Sequence, residues 1–240
     1  MRAFAKASRL LVQPLPGTTD QFLDPTWPQP SSAGEASTDF DINTTSTGEP
    51  STSPYGDLDK WGMMWLGHCG CRFPFASDEN VPIGRAIIPN DETCPEKSQI
   101  NIELGDRQLL EEYPDYTRVV SRARMSTCTL AYGVSQYGAR RILYELGVRD
   151  ANGPLDMMYR SLCHGSEGRE LMVCLSPQPA LFNHHRPVGP TSAWSDISEN
   201  EGIGAWVDVA KSENIRWGAR TNLHRFVNGR MDYIDSYKEG

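Results

Sequence analysis

The sequence predicts an α/β domain, and three stretches carry that prediction. In CTLAYGVSQYGARRILYELGV, residues 128–148, a strand-like opening turns helical at Ser135. Ala139, Ile142, Leu143 and Leu146 then recur at the spacing of one helical face, and Gly147 supplies a stop. Ser135 is the expected N-cap, because its hydroxyl can accept a bond from an orphan backbone N–H. In GPLDMMYRSLCHG, residues 153–165, Pro154 stands at a first helical position with Leu155, Met158, Tyr159 and Leu162 on one face. ELMVCLS, residues 170–176, is the next strand. The order strand, helix, helix, strand is that of an α/β fold and not of a bundle or sandwich.

The other elements follow from the N-terminus. Residues 1–13, MRAFAKASRLLVQ, are basic and free of acids, with Met1, Phe4, Ser8 and Leu11 on one face, which predicts an amphipathic helix with a faint likeness to a transit peptide. Residues 14–57 are dense in Pro, Gly, Ser and Thr and nearly free of aliphatic periodicity, so a flexible loop is expected. Asn43, in NTT, matches the glycosylation acceptor pattern. The main unit, residues 58–240, opens with KWGMMWLGH at 60–68, an apolar run ending in glycine that reads as a buried strand. A loop follows from 73 to about 102, then a short helix in DRQLLEEY at 106–113. The tail SENIRWGARTNLHRFVNG carries Arg216, Arg220 and Arg225 among aromatic residues and shows only weak periodicity.

Composition excludes several classes. A formal charge of −8 and a pI near 5.2 argue against non-specific nucleic-acid binding, which needs a surplus of Lys and Arg on one face. No apolar run reaches the roughly 20 residues that span a bilayer. The six cysteines are too sparse for a disulfide scaffold, and HCGC at 68–71 lacks the second pair of a structural zinc site. Buried free thiols are the expectation, with one or two disulfides in a secretory lumen. There is no G-x-S-x-G elbow, Walker loop or G-x-G-x-x-G turn, which disfavours serine hydrolases and nucleotide-binding enzymes of those types.

Four features could carry chemistry. Asp156 lies in the first turn of the second helix, where the dipole favours a carboxylate and where it could also serve a hydroxyl nucleophile as general base. His184 and His185 follow the last strand, on a loop at the kind of strand end where α/β sheets bind ligands. Neighbouring side chains on extended backbone point to opposite sides, so at most one of the two faces a cleft. DFD at 39–41 and DLD at 57–59 have the spacing of a divalent-cation pair but lie in or beside the polar loop.

WGMMWLGHCG, CTLAYGVSQYGARRILYELG, PLDMMYRSLC, PALFNHHRP and NIRWGAR, in that order, resemble the fungal branch of glycosyltransferase family 25. That family takes its name from lipopolysaccharide glycosyltransferases and includes the collagen galactosyltransferases. The resemblance runs with gaps from Lys60 to Arg220. It implies a GT-A-like mixed sheet with flanking helices and inverting transfer of a hexose from a nucleotide-sugar donor, usually UDP-linked, to a hydroxyl of a glycan or glycoprotein acceptor. It also implies a divalent metal, Mn²⁺ in the usual case, and the Golgi or another secretory lumen. Carried onto this chain, it makes Asp156 the general base or acceptor orienter, Tyr132, Ser135 and Arg216 substrate-binding residues, and one of His184 and His185 a metal or diphosphate contact.

The family's Glu-Asp-Asp motif, where metal and nucleotide meet, is absent from these residues. The opening helix looks like the one that follows that motif. The sheet is therefore expected to be incomplete at its N-terminal side and the chain weak or inactive in transfer. Two other classes compete: a non-catalytic module of the same fold that binds a glycan or protein, and a zinc hydrolase built on the paired histidines.

Overall fold

The computed structural model describes residues 1–27, 38–75, 77–78, 81–190 and 206–238. Its centre is a mixed sheet of six strands: β1 (Asp39–Asp41), β2 (Met63–Gly67), β4 (Arg85–Ile88), β5 (Arg118–Arg122), β7 (Ala131–Val134) and β8 (Cys174–Gln178). They lie in the order β1-β4-β5-β8-β2-β7. β1 runs parallel to β4 and β2 parallel to β8, while the other neighbours are antiparallel. β3 (Gly70–Arg72) and β6 (Arg124–Thr127) form a separate antiparallel ribbon.

Side-chain alternation along β2 explains the two layers. Met64 faces one side, where the first helix, α1 (Arg2–Val12), packs Phe4, Ala7, Leu10, Leu11 and Val12 against Ala86, Val120 and Leu175. Met63 and Trp65 face the other side, against Tyr159 and Leu162 of α4 (Leu155–His164) and Met172. A third cluster sets Val119 of β5 against Phe73, Leu109 and Tyr113, beside α2 (Gln108–Glu112). Every residue of β5 and β8 is buried, as expected for central strands covered on both faces.

Several expectations need correction. The stretch 14–57, outside its undescribed residues 28–37, contains β1, whose Phe40 is buried. Its order comes from polar bonds: the Asp57 carboxylate accepts from the backbone N–H groups of Ser51 and Thr52, from both their hydroxyls, and from Gln13 Nε2. Those bonds hold the Asp57 carboxyl below the usual carboxylate range. Neither Asp-x-Asp tripeptide is a cation pair, since Asp39 accepts from Tyr113 Oη and Asp57 is committed to its own loop. The strand expected at 170–176 starts at Cys174, four residues later.

α3 (Gln136–Ile142) begins where predicted, with Ser135 accepting from Gly138 N at 3.0 Å, but widens into a π-helical segment, Leu143–Arg149. The wider winding shifts the apolar face, so Ile142 and Leu146 pack while Leu143 is 68% exposed. Gly138 has a packing reason: a Cβ there would stand 2.0 Å from the Gly62 carbonyl oxygen. Gly138→Ala is expected to cost about 2 kcal/mol, because backbone must move to admit it. Chemical denaturation checks this, and a loss below about 0.5 kcal/mol, the range of ordinary surface substitutions, would contradict the close packing.

Four of the six cysteines pair, Cys69 with Cys128 and Cys163 with Cys174, so for these four the alternative of one or two disulfides holds and not the free thiol. Cys71 and Cys94 remain free and buried. The pairing partners lie 59 and 11 residues apart, so only the fold brings the first pair together.

Candidate functional site

Because Met64 of β2 pairs with Leu175 of β8, the two parallel strands end level with one another, at Gly67 and Gln178. Such C-terminal ends of parallel strands are where open α/β sheets bind ligands. Here the chain leaves β2 through His68 and Cys69 and leaves β8 through Pro179 and Ala180, and Leu181 N bonds back to Leu66 O at 2.8 Å.

A surface pocket of about 250 Å³ opens at this end, lined among others by Cys69, Asn101, Asn183, His184, Glu213 and Asn214. Three of its side chains are locked together. Asn101 N donates to Asn214 Oδ1 (2.7 Å), Asn214 Nδ2 donates to Asn101 O (3.0 Å), and Asn101 Nδ2 donates to Glu213 Oε2 (3.1 Å). Asn214 has a left-handed backbone, φ 58°, a conformation asparagine tolerates better than most residues. Amides and carboxylates in this arrangement offer donors and acceptors side by side, the chemistry that meets hydroxyl-bearing ligands.

The predicted site residues divide. His184 lines the pocket, with its own N–H donating to Asn183 Oδ1 at 2.8 Å. His185 turns away onto a short strand, β9 (His185–Arg186), paired with a second short strand, Lys211–Ser212, and its Nδ1 lies 3.1 Å from Ser212 Oγ. Both imidazoles titrate below their ordinary range: burial comes first, followed by Arg186 for His184 and Arg220 for His185. Asp156 is joined to the pocket at one remove. Its Oδ2 accepts from Cys128 N at 2.9 Å, and Cys128 is disulfide-bonded to pocket-lining Cys69. Its Oδ1 accepts from Met157 N at 2.9 Å, and each oxygen keeps a second lone pair.

Tyr132 is half-exposed on β7, edge-on to Tyr159 with ring centroids 5.4 Å apart. Ser135 is buried and spends its hydroxyl inside the fold, accepting from Gly138 N and donating to Trp61 O at 2.7 Å. Arg216 is also held elsewhere. Its Nε meets Asp235 Oδ2 at 2.6 Å, its Nη1 donates to Glu92 O, and its guanidinium stacks on Tyr116 and Trp217.

The resemblance implies Mn²⁺. Among the described residues no group of three or more His, Cys, Asp or Glu side chains could hold a metal ion. The charged neighbours that depress the two histidines are arginines, which repel a cation. The same finding leaves the zinc-hydrolase reading without a ligand set.

Asn101 and Asn214, which line the pocket, carry no signal in the sequence, since each stands in a polar loop without periodicity. No protein-family profile matches the chain, and comparisons with characterised proteins and with solved structures gave no match either.

Proposed function

We propose that this chain acts in hexosyl transfer, holding an acceptor saccharide in the pocket at the ends of β2 and β8 while a hexose moves to one of its hydroxyls from a nucleotide-sugar, a UDP-hexose in the first instance. One observation carries the reading: the five stretches that resemble glycosyltransferase family 25 converge on one place. Cys69, Asn183 with His184, and Asn214 line the pocket, and Cys128 and Asp156 are tied to it through a disulfide and a backbone hydrogen bond.

In this reading the acceptor oxygen attacks the sugar's anomeric carbon, the bond to the nucleoside diphosphate breaks, and the hydroxyl proton passes to Asp156. Asn101, Asn183 and Asn214 orient the acceptor, and His184 and Arg186 face the anionic donor. A GT-A-like fold is part of the proposal; the six-stranded mixed sheet with flanking helices is compatible with it. Two disulfides suit an oxidising lumen, which agrees with a Golgi setting.

Product formation from labelled UDP-hexoses and saccharide acceptors tests the reading. Turnover is expected to be slow, since the described residues offer no acidic cluster for the diphosphate. Asp156→Asn should lower it about 100-fold, within the usual range for loss of a general base, with acceptor affinity changed less than about threefold. The lack of an acidic cluster also supports a second reading, a glycan- or protein-binding module without catalysis. Calorimetry separates the two: heat with an acceptor glycan but none with UDP plus Mn²⁺, and no product, would favour binding alone.

A further inference from the structure

Next to the pocket, and sharing Cys69, Asn101 and Asn214 with it, lies a niche of about 20 Å³, the space of roughly one oxygen atom with its hydrogen. Two of its lining residues carry buried polar atoms without a partner among the described residues, His68 Nδ1 and Gln178 Nε2. These residues are only 6% and 2% exposed. Buried polar groups are normally satisfied, so two orphans on residues that line one small space call for an occupant.

Their chemistry specifies it. His68 Nε2 lies 2.9 Å from Pro177 O, and a carbonyl can only accept, so Nε2 bears the proton and Nδ1 is a bare acceptor. The imidazole is neutral, since burial and then Arg118 hold its pKa down to about 4. The Gln178 amide nitrogen is a donor. One acceptor and one donor match a group that both gives and takes a hydrogen bond. A carboxylate would set its charge against the His68 lone pair, and an ammonium would meet the Gln178 N–H groups with nothing to offer them.

We infer that this niche is a hydroxyl-reading subsite, in which His68 Nδ1 and Gln178 Nε2 bind one hydroxyl of a saccharide seated in the adjoining pocket. The inference rests on the proposed saccharide pocket and adds the residues that select which sugar it takes. A polar niche rejects a ligand lacking the matching hydroxyl far more strongly than an apolar one rejects an extra group, because its own atoms are then left unpaired.

The test uses methyl glycosides of galactose, glucose and mannose, then the monodeoxy series of whichever binds best, with affinities from calorimetry. One deoxy position is expected to lose at least about 30-fold, the others less than about threefold. Gln178→Met should flatten the series. Because Gln178 sits in a central strand and that variant could fail to fold, ¹⁵N signals of the wild-type His68 ring give a second readout. They should move with the parent glycoside and stay still with the discriminated deoxy analogue. A flat deoxy series, as a permanently bound water would give, His68 signals unmoved at saturation, or no glycoside binding would each overturn the inference. The two proposals can fail apart: transfer with a flat deoxy series sinks only the subsite, whereas a discriminated hydroxyl without transfer sinks only the transferase reading.

Discussion

Replacing Cys69 and Cys128 together by alanine is expected to lower the unfolding free energy by about 4 kcal/mol, the chain-entropy value for a cross-link closing a 59-residue separation. The same double replacement at Cys163 and Cys174, 11 residues apart, should cost less, about 3 kcal/mol. The difference follows from the unfolded chain, in which the longer loop loses more freedom when closed. The first pair does more in the folded state. It pins the exit of β2 to Cys128, whose carbonyl accepts from Trp65 Nε1 at 2.7 Å and whose N–H donates to Asp156. Cys128 itself holds φ 60°, a strained conformation for a residue with a β-carbon, so the bonds around it have to keep it there. Saccharide binding should therefore fall with the first pair and survive loss of the second. Urea denaturation without reductant gives both free energies, and an equal or smaller loss for Cys69 and Cys128 would contradict the account.

The protein should also lose stability on mild acidification, with His68 a main cause. In the unfolded chain this imidazole titrates near 6.5, whereas in the fold burial, and then the charge of Arg118, hold it to about 4, although the Pro177 bond pulls the other way. Between those values the unfolded state takes up a proton that the native state refuses. The His68 contribution is therefore fully present above pH 6.5 and falls by up to about 1.4 kcal/mol per pH unit below it, about 3 kcal/mol by pH 4.

His164 acts with the same sign. Its Nε2 accepts from Met125 N at 3.0 Å, and burial, with Arg124 and Arg160, lowers it to about 3. Asp39, raised by burial, works in the opposite direction at the acid end. Comparing His68→Gln with wild type isolates the one residue. From pH 7 to pH 5 the wild type should lose about 2 kcal/mol more than the variant. Parallel stability curves would mean that His68 titrates in the fold as it does in the unfolded chain, which would contradict its being held neutral by burial.

What the sequence disclosed and what it hid divide along physical lines. The β2 strand, the Ser135 cap and the α4 face of Met158, Tyr159 and Leu162 were legible because each depends on residues a few positions apart. The order of residues 38–57 was not, because it rests on the Asp57 carboxylate gathering loop amides and on Phe40 and Ile42 entering a core supplied by distant segments. Leu143 was assigned to a buried face that the π-helical widening turned outward. In the site, His184 could be placed at a strand end from its position alone. His68, Gln178, Asn101 and Asn214 could not be grouped, since they come from four separate segments: the register of β2 against β8 brings the first two level, and mutual hydrogen bonds join the two asparagines. Arg216, which the resemblance makes substrate-binding, is engaged by the chain's own Asp235, a partner 19 positions away that only the fold supplies.

Hexose transfer by wild type and Asp156→Asn, measured side by side with UDP-hexose donors and the best-binding saccharide, addresses the central claim most directly. The account predicts slow product formation by wild type and about 100-fold less by the variant, with near-equal acceptor affinity and matched thermal unfolding. Equal product from both proteins, or neither transfer nor saccharide binding by wild type, would contradict it.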